Sequence, residues 1–423
     1  MERLHRIDYS VGSNWSVGSN WLIPSRDMGI RVMRVSFLAL AAGGLLTGAA
    51  FTSAAAQGSD DLQPEVSANA EDFLQAYYAK LPGTVSLPIA HSTPELSATH
   101  TISRIAFGSC NHHKRSQHMW AQIEAENPDL FLFLGDNNYG DQGWSGDPSL
   151  ATLRQAYADM AETEEFTSFR SRVPMMVTWD DHDFGFNDGG ANFAFRQWSE
   201  TIFETFWSAS DEVKARPGIY ESRFFGKSGQ RVQIIMLDTR FFRSDLQRPA
   251  YQDTRPPNGP YTPSDDASRT MLGDVQWNWL EQELAKPADL RIFVSSVQVL
   301  TEAHNWESWW MLPLERAKLY RMLSAREESG LVMLSGDRHA GGIYTDTPIA
   351  DGEQMWELTS SSLNYSFSST EQNTAREPDP KRLTDFISEE NFGLVDVNWN
   401  TRTMTLGLRG SEGEVRAQQV VNW

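Results

Sequence analysis

Four short segments, each opening where an apolar run stops, carry the side chains on which the chemistry of this chain depends. They are Gly108-Ser109-Cys110-Asn111, Gly135-Asp136-Asn137-Asn138-Tyr139, Trp179-Asp180-Asp181-His182-Asp183 and Gly336-Asp337-Arg338-His339. The runs that feed them are Ile102–Phe107, Leu130–Leu134, Val173–Val177 and Leu331–Leu334. They have the length and apolarity of buried strands. Open α/β sheets hold their ligands in a crevice at the carboxyl ends of such strands. A thiol, a phenol, carboxylates and imidazoles delivered to one crevice make a metal site.

The rest of the chain alternates helix and strand. Periodicity predicts helices over His118–Glu126, Leu150–Glu162, Asp274–Lys286 and Leu314–Glu327. Aromatic residues at helical spacing over Asn192–Ser208 predict a further helix packed on a sheet. Ile219–Phe225 and Arg231–Leu237 flank Gly226-Lys227-Ser228-Gly229 and read as a hairpin. Residues 244–268 hold five prolines and read as a long surface loop. Leu290–Val297 reads as a strand. Beyond Leu334 the chain reads as strands without helices: Gln354–Thr359, Gly393–Trp399, Thr403–Leu408 and Val415–Val421. The order is mixed α/β, closing on antiparallel strands.

Each segment has its own logic. Gly135 gives the backbone room to turn after Leu134, so that Asp136 can bridge two cations and the Tyr139 phenol can fold back onto one of them. Asp180, Asp181, His182 and Asp183 place four ionisable groups at a strand end, where burial without compensating cations is costly. The alternative for them is a solvated acidic turn. Asp337 and His339, two apart, are expected to project to one side of an extended turn, with Arg338 facing an acidic neighbour or a phosphate oxygen. Cys110 is the only cysteine, so it forms no internal disulfide; it is a ligand as thiolate or a small buried hydrophobe as thiol. His112, His113 and His118 beside the first segment read as a solvated face, with one of them reaching the pocket as the alternative, and His304 borders the aromatic stretch Asn305–Trp310. No Ser-centred elbow, Gly-rich phosphate loop or G-x-G-x-x-G is present, which leaves nucleotide-cofactor chemistry unsupported.

The formal net charge of −20 over 423 residues argues against a nucleic-acid surface. It leaves a small phosphorylated substrate open, because bound cations invert the field at a site. Residues 1–57 read as a leader: Arg31 and Arg34 precede an apolar run from Val35 to about Ala50, followed by the small-residue site Ser53-Ala54-Ala55-Ala56. Translation is expected to start at Met28 or Met33. Cleavage leaves no stable membrane span and an exported protein, periplasmic or extracellular; the alternative is an uncleaved anchor. No Arg-Arg pair supports twin-arginine export. Residues 58–100 read as an N-terminal tether, and 101–423 as the domain that carries the site.

The order of the four segments resembles the metallophosphoesterase superfamily, and within it the PhoD-like alkaline phosphatase D branch. That branch is recognised by a cysteine in the first motif, a tyrosine ending the second, W-D-D-H-[DE] third and G-D-x-H last. This chain matches with Cys110, with Asp136 and Tyr139, with Trp179 to Asp183, and with Asp337 and His339. Leu237-Asp238-Thr239-Arg240, Ser295-Ser296-Val297-Gln298 and Glu357-Leu358-Thr359-Ser360-Ser361 are further phrases typical of the branch. The resemblance implies a four-layer αββα sandwich, two mixed sheets flanked by helices, from about Ile102 to the C-terminus.

It also implies roles. Cys110, Asp136, Tyr139 and His339 would hold a first metal; Asp136 would bridge to a second, held by Asp181 and Asp337 with help from Asp180. His182 matches the unligated histidine that faces the leaving group. The separate histidine ligand of the superfamily has no clear counterpart, with Gln298 and His304 as candidates. A thiolate, phenolate and imidazole set suits ferric iron, and an oxygen shell suits calcium, with magnesium, manganese or zinc as alternatives. The expected function is a secreted metal-dependent phosphoesterase acting on a small phosphomonoester, with phosphodiesters as a further class. His182 would be the proton donor, and Arg338 or Arg240 would bind a phosphoryl oxygen. The rivals are a phospholipase D-like phosphodiesterase, with Trp306–Trp310 as a lipid-facing mouth, and a catalytically silent exported metal-binding protein. Oligomeric state is left open.

Overall fold

The computed structural model describes residues 70–250, 258–326, 330–349 and 352–423. The leader and residues 58–69 of the tether lie outside the described residues. One six-stranded sheet contains β1 (Arg104–Gly108), β2 (Leu130–Leu134), β3 (Met175–Thr178), β10 (Asn391–Asn398), β11 (Thr403–Gly410) and β12 (Val415–Asn422). Their order is β12-β11-β10-β1-β2-β3, with β1, β2 and β3 parallel and the C-terminal three antiparallel. The second sheet contains β4 (Glu221–Phe225), β5 (Val232–Met236), β6 (Leu290–Val294), β7 (Leu331–Ser335), β8 (Gly341–Asp346) and β9 (Met355–Ser360). Its order is β4-β5-β6-β7-β9-β8, with parallel pairing from β5 through β9 and antiparallel β4 and β8 at the edges.

Side-chain alternation along the strands builds the layers. In β2, Leu130, Leu132 and Leu134 point into the core between the sheets, where Val232, Ile234, Ile292 and Val294 of the other sheet meet them. Phe131 and Phe133 point the other way, onto Trp120 and Phe166. These belong to α2 (Met119–Ala125) and α4 (Glu164–Arg170). The same outer core takes α3 (Ala151–Glu162) and α6 (Arg196–Trp207) through Leu153, Tyr157, Ile202 and Phe206. On the far side, Ile235 and Phe293 meet Trp277 and Leu319. Those two come from α8 (Gly273–Leu284) and α9 (Pro313–Ser324). Helices therefore cover both outer faces, which is why β2 and β6 read as continuous apolar runs. This is the four-layer αββα sandwich that the resemblance implies.

Residues 84–100, expected as a tether, lie against this sandwich. Ala90 N donates to Phe206 O at 3.0 Å, Thr93 Oγ1 to Val173 O at 2.9 Å, and Gly226 N to Ala98 O at 3.0 Å. Ahead of them, α1 (Ala70–Tyr78) stacks Tyr78 on Trp198 with ring centroids 5.5 Å apart. Two further elements differ from expectation. The C-terminal stretch contains a helix, α10 (Thr370–Arg376), and an edge strand, β8. α10 buries no side chain, so it has no apolar period to announce it. β8 opens with Gly341-Gly342, which carry no strand signal. The Pro-rich stretch is only in part a surface loop: Leu246, Tyr261 and Ser264 are buried.

Candidate metal centre

The parallel strands of both sheets end at one place. Cys110 follows β1, Asp136 and Tyr139 follow β2, Asp180 and Asp181 follow β3, and Asp337 and His339 follow β7. Two short helices are α5 (Asp181–Phe184), at this point, and α7 (Asp211–Lys214), after α6. Cys110, Asp136, Asp337 and His339 all have positive φ, at 56°, 49°, 68° and 51°. Non-glycine residues take this conformation at a cost, and such residues cluster at functional sites. For Asp337 and His339 this corrects the expected extended turn: two left-handed residues flank Arg338 and send the carboxylate and the imidazole to different groups.

Those groups are distinct but share members. Ligand atoms of Cys110, Asp136 and His339 lie within 4.8 Å of one another, as do those of Asp136, Asp181 and His182, and those of Asp180, Asp181 and Asp337. Asp136 divides its oxygens between two of them. Its Oδ2 is 3.3 Å from Cys110 Sγ and 3.2 Å from Tyr139 Oη, while its Oδ1 faces the His182 backbone N–H at 3.4 Å. Tyr139 Oη also lies 3.5 Å from His339 Nε2. His339 Nδ1 donates to Tyr365 O at 2.6 Å, which leaves Nε2 with its lone pair toward the thiol and the phenol.

Burial pushes the Cys110 thiol and the Tyr139 phenol well above their ordinary pKa values, with Asp136 adding to both. Burial and the neighbouring acids likewise push Asp136 and Asp337 well above the carboxylate range. Asp180 is pushed up to about 7 by burial, against the pull of Arg240. Its Oδ1 accepts from Arg240 Nε at 2.6 Å and Ser296 Oγ at 2.5 Å, while its buried Oδ2 has no hydrogen-bond partner among the described residues. Asp181 goes the other way: burial raises it, but His182 and Arg240 more than offset that. A cluster of buried acids that repel one another, with an orphaned oxygen among them, is chemically suited to cations. The first group is mixed sulfur, nitrogen and oxygen; the second is mostly oxygen.

His182 is placed by Asp141. The Nδ1–Oδ1 distance is 2.8 Å, and the ring lies over Tyr139 with centroids 4.1 Å apart. Burial lowers its pKa, but Asp181, Asp136 and the Asp141 hydrogen bond reverse this and hold it up at about 11. Arg338 lines the same cavity of about 580 Å³, with Nη2 bound to Glu377 Oε2 at 2.5 Å. Arg240 is fully buried, bound to Asp180 and Glu307, and does not reach that cavity.

Neither candidate for the absent histidine joins the groups. His304 Nε2 meets Gln298 Oε1 at 3.1 Å and His304 Nδ1 accepts from Trp306 N at 3.1 Å, so its ring is already engaged. Gln298 Nε2 donates to Thr359 Oγ1. Sequence reasoning missed two acids instead: Asp188 and Glu307 offer ligand atoms within 4.8 Å of Asp181. Asp188 has φ 55° and accepts from the Tyr261 hydroxyl. Its place before Gly189-Gly190 in a turn is the one signal that the sequence offers for it. Glu307 is bound by Arg240 Nη1 at 2.5 Å and Arg243 Nη2 at 2.7 Å. The Trp306–Trp310 mouth is also reduced, since Trp309 is fully buried and donates to Ser295 Oγ; Trp306 reaches the cavity.

The family model of the PhoD-like phosphatases matches residues 105–192 and 210–408, a span that carries every residue just described. Alkaline phosphatase D of Bacillus subtilis (strain 168) is 24% identical over 270 residues, covering 56% of this chain and 45% of that protein. This chain thus spans less than half the length of that curated relative. The solved structure of PhoD superposes with a TM-score of 0.59 at 19% identity, covering 78% of this chain and 70% of that one. Shared fold, strand-end motifs and family match agree: the chain belongs to the PhoD-like phosphatase family.

Proposed function

We propose that this chain hydrolyses phosphoesters, with phosphomonoesters first, at the centre bounded by Cys110, Asp136, Tyr139, Asp180, Asp181, Asp337 and His339. The observation that supports this best is the division of the Asp136 carboxylate, one oxygen toward Cys110 and Tyr139 and the other toward the His182 and Asp181 side. Cys110, Tyr139, His339 and Asp136 would hold one cation, proposed to be ferric iron; Asp136, Asp181 and Asp337 would hold the other, proposed to be calcium. When bound, such a pair supplies Lewis acidity, neutralising phosphoryl charge and lowering the pKa of water.

The remaining chemistry belongs to side chains. His182, kept protonated by Asp141, gives its Nε2 proton to the departing alkoxide. Asp141 fixes the ring so that Nδ1 is occupied and Nε2 is free. Arg338, braced by Glu377, contacts a non-bridging oxygen. Asp180, held by Arg240 and Ser296, sets the position of Asp181 next to it.

Export of the mature chain belongs to the same reading; among the described residues no helix is long and apolar enough to cross a membrane. Elemental analysis of the purified protein together with turnover of phenyl phosphate and bis-phenyl phosphate tests the proposal. Two equivalents of metal with monoester turnover are expected. A protein free of metal, or silent on both esters, overturns it. Thiolate and phenolate on ferric iron absorb visible light, so a colourless preparation of full activity removes the iron assignment.

A further inference from the structure

The cavity over the metal centre is larger than a phosphoryl group needs. Its volume of about 580 Å³ lies in the range of sites that enclose a whole small molecule. Part of its wall is α10 and the residues just before it: Phe367, Ser368, Asn373, Arg376 and Glu377. Asn373, Arg376 and Glu377 follow i, i+3, i+4 spacing, so one face of α10 looks into the cavity. α10 contributes nothing to the core. It is secured by its Ser369–Gln372 cap, by Thr370 on Glu389 and by Asn373 on Ser388. A helix ordered this way over a pocket presents side chains rather than packing them.

Among the arginines that line the cavity, one stands apart. Asp136, Asp181 and Asp337 belong to the metal groups. Glu307 is neutralised by Arg240 and Arg243, Asp188 faces Arg248 at 3.8 Å, and Arg338, paired with Glu377, is already assigned to the phosphoryl group. Arg376 remains. It is exposed, lines the cavity, and among the described residues has no carboxylate partner. Phe367 and Trp306, 65% and 43% exposed, add large apolar surface to the same walls.

We propose that the substrate is a phosphoester whose organic part carries a second anionic group, carboxylate or phosphate, bound by Arg376, with its apolar portion against Phe367 and Trp306. This rests on the phosphoesterase reading and deepens it. Guanidinium binds either anion through charge-assisted hydrogen bonds, and a charge near the mouth also raises the encounter rate of an anionic ester.

The test compares matched aryl phosphates on the full chain. Phenyl phosphates bearing a carboxylate or the isosteric carboxamide, placed para or on a para two-carbon arm, give two ratios of kcat/KM. Comparing ratios between wild type and variant cancels leaving-group reactivity. The wild type is expected to prefer the carboxylate in at least one pair by about tenfold, less at high ionic strength. Arg376→Gln is expected to bring that ratio close to one, and Arg376→Lys to restore part of it, which a merely structural role would not produce. Phe367→Ala is expected to raise KM for both members of a pair while keeping the ratio. No carboxylate preference in either pair, or a ratio that Arg376→Gln leaves untouched while turnover persists, overturns the inference alone. Absence of turnover on every ester overturns the phosphoesterase reading with it.

Discussion

Asp183 Oδ1 accepts the backbone N–H of Asp136 at 3.0 Å, joining the loop after β3 to the loop after β2. The same oxygen accepts from Asp180 N at 2.8 Å, and Oδ2 accepts from Asn137 Nδ2 at 2.6 Å. One fully buried carboxylate thus fixes the backbone on both sides of the proposed metal pair without itself offering a ligand. Asp183→Ala leaves two buried N–H groups unpaired. A loss of about 2–4 kcal/mol in unfolding free energy follows, with lowered metal content. Asp183→Asn keeps one acceptor oxygen but turns an amide toward the Asn137 amide, so it is expected to fall between the two. Denaturant unfolding and elemental analysis on both variants check this. A fully metallated, wild-type-stable Asp183→Ala protein would contradict it.

Gly135 is the other device that brings these loops together. Its φ is +97°, and a Cβ there would lie 2.5 Å from Asp180 Cβ and 2.6 Å from Asp180 N. Gly135→Ala therefore combines a disfavoured backbone with a collision against backbone that has no room to move. The expected outcome is a loss of about 2 kcal/mol or more, and a larger loss of metal than of fold, because the strain falls at the ligands. Thermal unfolding and metal stoichiometry measured together distinguish this from a general packing defect, in which metal content would track stability.

How much of this was written in the chain depends on which physical signal each part leaves. β2 is covered on both faces, so its apolar run, Leu130 to Leu134, coincides with the strand. Cys110, Asp136, Asp181 and His339 were legible because each follows such a run at once. Asp188 and Glu307 were not, because they come from loops that follow no strand directly and owe their position to Arg240, Arg243 and Tyr261. Asp141 shares the loop after β2 with Asp136 and Tyr139, but only the fold brings it to His182, 41 residues on. His304 looked like a ligand because sequence shows an imidazole but not that Gln298 and Trp306 already occupy its nitrogens. The left-handed turn at Asp337 and His339 was invisible too, since neither residue is a glycine.

The His182–Asp141 pair predicts a shift in pH dependence. Burial alone would lower the imidazole pKa; Asp181, Asp136 and Asp141 raise it to about 11. Cations bound against Asp136 and Asp181 would cancel those two, leaving Asp141 as the carboxylate that keeps the ring charged. A general acid works only while protonated, so activity falls as pH rises through its pKa. Asp141→Asn lowers that pKa and is expected to move the alkaline limb of kcat to lower pH, with kcat near neutrality down roughly tenfold. His182→Ala is expected to drop kcat by about a hundredfold or more with metal content unchanged. An unshifted alkaline limb in Asp141→Asn, or unchanged turnover in His182→Ala, would remove His182 as the acid.

Removing the metals tests the electrostatics of the whole cluster. Without cations, Asp180 has its pKa raised from 3.8 to about 7, chiefly by burial, and burial raises Asp136 and Asp337 as well. Asp181 is shifted downward and opposes them, but it is one group against three. A raised carboxyl pKa means that the folded state holds a proton the unfolded state has released. For Asp180 the stability this gives is complete below pH 3.8 and drains away as pH rises through about 7. Metal-stripped protein is therefore expected to lose up to about 1.4 kcal/mol per pH unit per such group across that window. Metal-loaded protein should show little of this slope, because the cations hold the acids ionised throughout. Thermal unfolding of both forms from pH 4 to pH 8 reads the difference directly. Parallel pH profiles for the stripped and loaded forms would mean that these acids are not what the cations neutralise.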